Sequence, residues 1–270
     1  MTAAATLHTR PNPFPELAPQ QLFSLQGQRV LITGAAGGIG GALARGLAAA
    51  GARLVACDIN PRVHALAEQW RHEGMDVESM NFDLTREDEI AQAFGQIVER
   101  HGRIDVLINN AGVIVRTPFL ELTREQWQKV IDIDLTACFL MAQQAARLMV
   151  QQGGGRIIHL SSIMNHVARP NLVPYVSAKG GVSALTRAMA ADLAGTGVTV
   201  NALAPGYTQT EFSQAKDPEF NAFVSGWAPA RRWGQPEDLC GVALLLASKA
   251  GAYINGQTLY VDGGFLAVTR

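Results

Sequence analysis

Tyr175 and Lys179 stand four residues apart in the stretch PYVSAKGG. On a helix that spacing puts both side chains on one face. A tyrosine is a poor base at neutral pH, with a free pKa of about 10, but a nearby ammonium stabilises the phenolate and lowers that value. The pair is therefore equipped to take the hydroxyl proton of an alcohol as hydride leaves its carbon, or to return a proton to a carbonyl oxygen. The same spacing also occurs between ordinary surface neighbours on a helix, so its meaning depends on what the chain builds around it.

A second group of residues suits a phosphate-bearing ligand. The apolar run RVLIT (29–33) leads into the glycine-rich TGAAGGIGG (33–41) and then into an alanine-rich helical pattern. Glycines let the backbone turn sharply and approach a ligand closely, and the helix start offers free N–H groups and a positive dipole end to a pyrophosphate. The strand–loop–helix context predicts a dinucleotide site, against the alternative of a tight turn that binds nothing. Asp58 ends the next apolar run, eighteen residues after Gly40, where an acid can hold the adenosine ribose hydroxyls. It would repel a 2′-phosphate, and residues 34–41 carry no Arg or Lys, so NAD is favoured; Arg62 keeps NADP possible. The lesser alternative is that Asp58 simply ends a strand or caps the following helix.

The elements that must position these residues follow from the pattern of apolar runs. Short buried runs at 29–33, 53–57, 76–82, 105–109, 155–162, 198–206 and 256–264 alternate with helical patterns at 38–51, 61–74, 86–102, 124–154, 174–194 and 236–248. Such alternation predicts βαβ units around a parallel sheet, and right-handed crossovers make it a doubly wound α/β sandwich. Residues 1–24, with Pro11, Pro13, Pro15 and Pro19, read as an extended arm without the apolar core of a signal peptide. Residues 25–270 read as one domain.

The chain has 270 residues, of which 48% are hydrophobic and 17% charged, enough apolar material for a sizeable core. A net charge of −1 gives no electrostatic footprint for nucleic acid. No apolar run is long enough for a transmembrane helix. Cys57, Cys138 and Cys240 lie far apart without zinc-ligand spacing, which fits buried thiols in a reducing, cytoplasmic compartment and no metal.

With these residues in place, the sequence resembles the short-chain dehydrogenase/reductase family over about residues 25–265. TGAAGGIG fits its TGxxxGxG loop, NNAG (109–112) its strand-four signature, and Tyr175–Lys179 its YxxxK, with Ser162 thirteen residues before the tyrosine; PGYTQT (205–210) and VDGG (261–264) complete the pattern. The resemblance implies a Rossmann-type sheet of seven parallel strands and a homotetramer or dimer. It implies that Gly34, Gly38, Ile39 and Gly40 line the pyrophosphate, that Asp58 holds the ribose, and that Asp83 and Leu84 face the adenine. Asn109, Asn110, Ala111 and Gly112 would flank the cofactor, and Pro205, Gly206 and Thr208 would hold the nicotinamide end, with Thr210 near the diphosphate. Tyr175 would be the acid/base, Lys179 its partner and a ribose contact, and Ser162 the hydrogen-bond donor to the substrate oxygen.

One position departs from the family pattern. Members carry an Asn in the long helix at the place of Asp134, in IDIDL (131–135). That Asn helps hold a water that relays protons to the lysine. Asp134 either serves the relay with added negative charge, giving an alkaline optimum, or is a tolerated substitution.

The segments FSLQGQ, PARRWGQPEDL, NGQTLYVDGG and APGYTQTE resemble gluconate 5-dehydrogenases and ketodeoxygluconate dehydrogenases. The implied reaction is NAD(P)-dependent hydride transfer between cofactor and a secondary alcohol or ketone, such as gluconate/5-ketogluconate. Arg116 is the candidate for a bidentate carboxylate contact. Asn165, His166 and Arg169, between Ser162 and Tyr175, would border the pocket, with residues 207–233 as a mobile lid. Arg232 reads as structural. Neutral sugars or polyols are the alternative substrates, and a non-catalytic nucleotide-sensing protein is the alternative class.

Overall fold

The computed structural model describes residues 17–211, 213 and 215–269; most of the proposed N-terminal arm lies outside them. Seven parallel strands form one sheet: β1 (Arg29–Thr33), β2 (Arg53–Asp58), β3 (Val77–Asn81), β4 (Val106–Asn109), β5 (Gly155–Leu160), β6 (Val198–Pro205) and β7 (Thr258–Val261). Their order is β3-β2-β1-β4-β5-β6-β7, with the reversal of direction between β1 and β4. In a doubly wound sheet, ligands bind beyond the carboxyl ends of the strands at that reversal.

The helices are α1 (Pro19–Leu22), α2 (Gly38–Ala49), α3 (Arg62–His72), α4 (Glu87–His101), α5 (Arg124–Ile131), α6 (Ala137–Gln151), α7 (Val173–Asp192), α8 (Pro218–Trp227) and α9 (Cys240–Ala247). β1 shows why helices must cover both faces. Val30 and Ile32 point into one apolar layer with Leu43 and Leu47 of α2 and Leu246 of α9. Leu31 points into the opposite layer with Ile90 and Phe94 of α4 and Met141 and Met149 of α6. All are essentially inaccessible to water, and full burial of one such side chain contributes about 1.5–3 kcal/mol. On α4, Ile90, Ala93, Phe94 and Ile97 form the buried stripe, while Glu87, Asp88 and Glu89 open the helix and Arg100 and His101 close it, each sign set against the opposite end of the helix dipole. Gly102 ends α4 at φ 67°, a left-handed turn that glycine adopts without strain.

Four elements differ from the sequence expectation. The helix expected over 124–154 is interrupted: residues Asp132–Thr136 form a π turn between α5 and α6. The 3.6-residue apolar period continues through the widened turn, which hides it from the sequence. Pro61 caps α3 rather than opening it. The span 207–233 contains a helix, α8, whose start is capped by Asp217 accepting from the N–H groups of Glu219 and Phe220. In the proposed extended arm, Pro19 opens the short helix α1, a favoured place for a residue that lacks an N–H.

Candidate active site

The carboxyl ends of β1, β4, β5 and β6 gather the predicted residues. At β1, Gly34 takes φ +67°, and its carbonyl approaches α2 so closely that a side-chain carbon at Gly40 would overlap it. Asn110 ties this loop to β4: its amide nitrogen donates to Thr33 O at 2.9 Å and Gly34 O at 3.1 Å. The Thr33 hydroxyl in turn accepts from the backbone N–H groups of Asn110 and Ala111, both at 3.1 Å. The start of α2 at Gly37–Gly38 has no side-chain cap and no acidic residue in its first turn. Gly38 is exposed, with Thr210 beside it at ordinary contact distance from a would-be Cβ. An uncapped helix start in a rigid glycine cradle suits a pyrophosphate, so these residues fit a dinucleotide. Ile39 packs half-buried against the α2 face of the core.

Asp58 is at the end of β2 as expected. Its Oδ2 accepts from Ala36 N at 2.9 Å and its Oδ1 from Asn60 N at 2.8 Å, so the carboxylate also braces the glycine loop. Arg62, on the first turn of α3, reaches Glu211 at 3.8 Å, both exposed. Asp83 accepts from the backbone and hydroxyl of Thr85, each at 2.8 Å, and Leu84 packs against the lower core. Gly206 passes so close to Asp262 that a Cβ would stand 2.7 Å from its Cα; the Thr208 hydroxyl donates to Gly206 O at 3.2 Å. Pro205 ends the fully buried β6.

Tyr175 lies on the first turn of α7, half-buried, and Lys179 one turn later is 3% exposed. The Lys179 Nζ stands 5.5 Å from the Tyr175 ring centroid, donates to Leu160 O at 2.9 Å, and meets Asp134 Oδ2 at 3.1 Å. Asp134 comes from the π turn and is fully buried; its Oδ1 accepts from Val113 N at 2.8 Å. Gly112 must be glycine here, because a Cβ would stand 2.9 Å from Asp134 Oδ2. A carboxylate Oδ2 that has only the ammonium as partner fits an ion pair. Burial alone would lower the Lys179 pKa, but the Asp134 carboxylate, together with Tyr175 and Cys138, raises it on balance and the ammonium stays charged. Burial raises the Asp134 carboxyl, against the pull of Lys179 and the Val113 N–H. Ser162 follows β5, with its hydroxyl accepting from Met164 N at 3.2 Å.

Asn109 turns into the core instead of towards the cofactor side. Its amide donates to Cys138 O at 3.1 Å and lies 3.1 Å from His159 Nδ1. His159 is completely buried, and burial, helped by the Lys179 charge, pushes its pKa down to about 4. Burial pushes the Cys138 thiol up to about 12.

The expected substrate residues divide into two groups. Arg116 and Arg169 lie near enough to act on each other: burial and then the Arg169 charge lower the Arg116 pKa, while Tyr175 and Tyr207 raise it. Burial raises the pKa of the half-buried Tyr207 against the opposing charge of Arg169, and the Arg169 guanidinium carbon is 3.8 Å from the ring centroid of Phe220 on α8. Asn165, by contrast, spends its side chain on protein partners: Nδ2 donates to Ser183 Oγ at 2.7 Å and Oδ1 accepts from Tyr260 OH at 3.0 Å. His166 is exposed and stands edge-on to Tyr260 at 6.5 Å. Arg232 pairs with Asp238 and with Trp233 O, which makes it a brace for the turn before α9. Among the described residues no group of three or more His, Cys, Asp or Glu is gathered that could hold a metal.

Comparison with known proteins bears on this arrangement. The profile of the family described as Enoyl-(Acyl carrier protein) reductase, a short-chain dehydrogenase group, matches residues 34–266. The chain belongs to the short-chain dehydrogenase/reductase family. It is 42% identical over 248 residues to the 5-keto-D-gluconate 5-reductase of Escherichia coli K12, covering 91% of this chain and 98% of that protein. It is 41% identical to the gluconate 5-dehydrogenase of Gluconobacter oxydans, covering 90% and 96% of the two chains. The crystal structure of a gluconate 5-dehydrogenase from Burkholderia cenocepacia, in complex with NADP and tartrate, superposes with a TM-score of 0.90 at 41% identity, covering 93% of this chain and 99% of that one. The resemblance read from the motifs and the seven-stranded fold therefore both hold.

Proposed function

We propose that the protein is an NAD(P)-dependent oxidoreductase that interconverts a secondary alcohol and a ketone on a sugar acid of the gluconate/5-ketogluconate type. The observation that carries this is the Tyr175–Lys179 helix face together with Arg116, whose charge feels Tyr175 and Arg169 and whose segment is tied to that of Arg169 by Thr117 N donating to Asn171 O at 3.1 Å. The first supplies proton chemistry, the second a receptor for a carboxylate. The names of the relatives, and the tartrate bound by one of them, support the same substrate class.

Gly34, Gly38, Ile39 and Gly40 would hold the pyrophosphate, Asp58 the adenosine ribose, and Asp83 and Leu84 the adenine. Asn110, Ala111 and Gly112 would border the cofactor, and Pro205, Gly206 and Thr208 its nicotinamide end, with Thr210 near the diphosphate. The bound nicotinamide supplies the hydride acceptor. Tyr175 takes the hydroxyl proton from the substrate oxygen. Lys179 lends its charge to the phenolate, and Ser162 donates to the substrate oxygen as charge develops there. Asp134 anchors the ammonium and tunes how much of its charge the phenol feels. Arg116 and Arg169 hold the carboxylate end. Asn165 would act from the pocket border, through the Ser183 and Tyr260 bonds it makes.

At the 2′ position, Asp58 favours NAD, while the relative described with NADP and the exposed Arg62 favour NADP. Two backbone N–H groups share the charge of Asp58, so the site is read as accepting both, with Arg62 meeting the 2′-phosphate. Assembly as a homotetramer or dimer in the cytoplasm belongs to the same reading. The exposed Phe119, Leu120 and Phe139 give it apolar surface to cover, and sedimentation velocity measures it.

The test is absorbance at 340 nm with NAD or NADP and a panel of gluconate, other aldonates, neutral sugars and polyols. Reduction of cofactor with gluconate or a close relative is expected. Turnover confined to neutral polyols would remove the sugar-acid assignment and keep the dehydrogenase.

A further inference from the structure

Arg116 and Arg169 come from different segments, one after β4 and one between β5 and α7, and Thr117 N ties those segments together by donating to Asn171 O at 3.1 Å; the Arg169 charge helps burial to lower the Arg116 pKa. Two guanidiniums of like charge do not collect without something to hold them. The charge of Arg169 opposes the rise that burial causes in the Tyr207 pKa. Its guanidinium carbon stands over Phe220, 3.8 Å from the ring centroid, within range of a cation–π contact. Phe220 is itself locked. It stands edge-on to Tyr207 at 5.2 Å and to Trp233 at 5.6 Å, and stacks on Phe223 at 5.9 Å. Tyr207 also touches Phe265 at 5.1 Å. The aromatic cluster thus ties the inner face of α8 to one arginine of the pair.

We propose that Phe220 is a specificity-determining residue: it seats Arg169 beside Arg116 so that the two guanidiniums form a single clamp for the carboxylate of the sugar acid. The proposal rests on the sugar-acid reading above and deepens it. A carboxylate between the two arginines removes their mutual repulsion and can take paired N–H bonds from each. A neutral polyol of the same length offers no such relief. The clamp, assembled by α8, therefore separates acids from polyols, whereas Tyr175 and Lys179 treat both as alcohols. Because Arg169 is one wall of the clamp and Phe220 sits on α8, occupancy of the clamp also holds α8 down over the site.

The experiment compares wild type with Phe220→Leu, Phe220→Tyr and Arg169→Gln, each loaded with NADP. Binding of D-gluconate and of D-glucitol, its neutral counterpart, is followed by calorimetry and by tryptophan fluorescence, with Trp233 as the neighbouring reporter. Phe220→Leu keeps an apolar side chain and loses the ring face; gluconate binding is expected to weaken about tenfold, with glucitol binding unchanged. Phe220→Tyr restores the gluconate affinity. Arg169→Gln loses the same preference for acid over polyol, which keeps the test decisive if Phe220→Leu folds poorly. Unchanged gluconate binding in Phe220→Leu and Arg169→Gln, or an equal loss for acid and polyol, would overturn the proposal. Wild type that binds gluconate with this pattern without oxidising it would overturn the substrate assignment and leave the clamp standing.

Discussion

Asp134 and Lys179 form a buried ion pair, 3.1 Å between Oδ2 and Nζ, at the point where the helix between α5 and α6 widens into a π turn. The widened turn directs a carboxylate under Lys179. The ammonium proposed to serve Tyr175 is therefore partly neutralised from behind, and this sets the first prediction.

Asp134→Asn removes one negative charge and keeps the shape. At pH values where Lys179 is still an ammonium, its charge, no longer offset by a carboxylate, favours the ionised phenol more strongly. In the alcohol-oxidation direction, where the phenolate is the active form, the acidic limb of log kcat/KM moves to lower pH, by about one unit. A pH–rate profile that superposes on wild type would show that Asp134 only fills space.

His159 links the pH to the fold. Its folded-state pKa is about 4, against an ordinary value of 6.5, so the unfolded chain takes up the proton first as pH falls. The stability this neutral ring contributes is present above pH 6.5 and is lost between about 6.5 and 4. The loss amounts to about 3 kcal/mol at the low end. Thermal melts from pH 7 to 4 should show a slope that His159→Gln flattens.

Gly40→Ala places a methyl group into the Gly34 carbonyl and 2.7 Å from the Asn110 amide. The backbone has to shift, at a cost of about 2 kcal/mol or about 5 °C in Tm. Because the same loop is proposed to cradle the pyrophosphate, dinucleotide affinity is expected to fall more than stability does. Differential scanning fluorimetry with and without NADP separates the two effects, and an unchanged ligand-induced shift would argue against the cradle.

Arg62→Gln tests the 2′ end. KM for NADP is expected to rise about tenfold, the worth of one charge-assisted phosphate contact, with KM for NAD unchanged. Equal effects on both cofactors would place Arg62 outside the phosphate contact.

Much of this was legible in the sequence because local chemistry decided it. Most of the strands are apolar runs flanked by turns, β3 (VESMN) being the weak one, and TGAAGGIG, NNAG and YxxxK each lie within one loop or one helical turn. What could not be read depends on distant segments. The π turn leaves the apolar period of residues 124–154 intact. Asn109 sits in the NNAG motif yet faces His159, fifty residues on, because β4 and β5 are neighbours. Phe220 and Arg169 are likewise far apart in the chain, and only the position of α8 joins them. Tyr207 was visible inside PGYTQT, but nothing in that motif pointed to an arginine partner.

The most direct test of the account is Tyr175→Phe, with NADP binding measured by calorimetry beside gluconate oxidation at 340 nm. The ring stays in place and only the hydroxyl is lost. The account predicts that NADP binds within about twofold of wild type while turnover falls by about three orders of magnitude or more. Substantial turnover with intact binding would contradict the assignment of Tyr175 as the proton carrier.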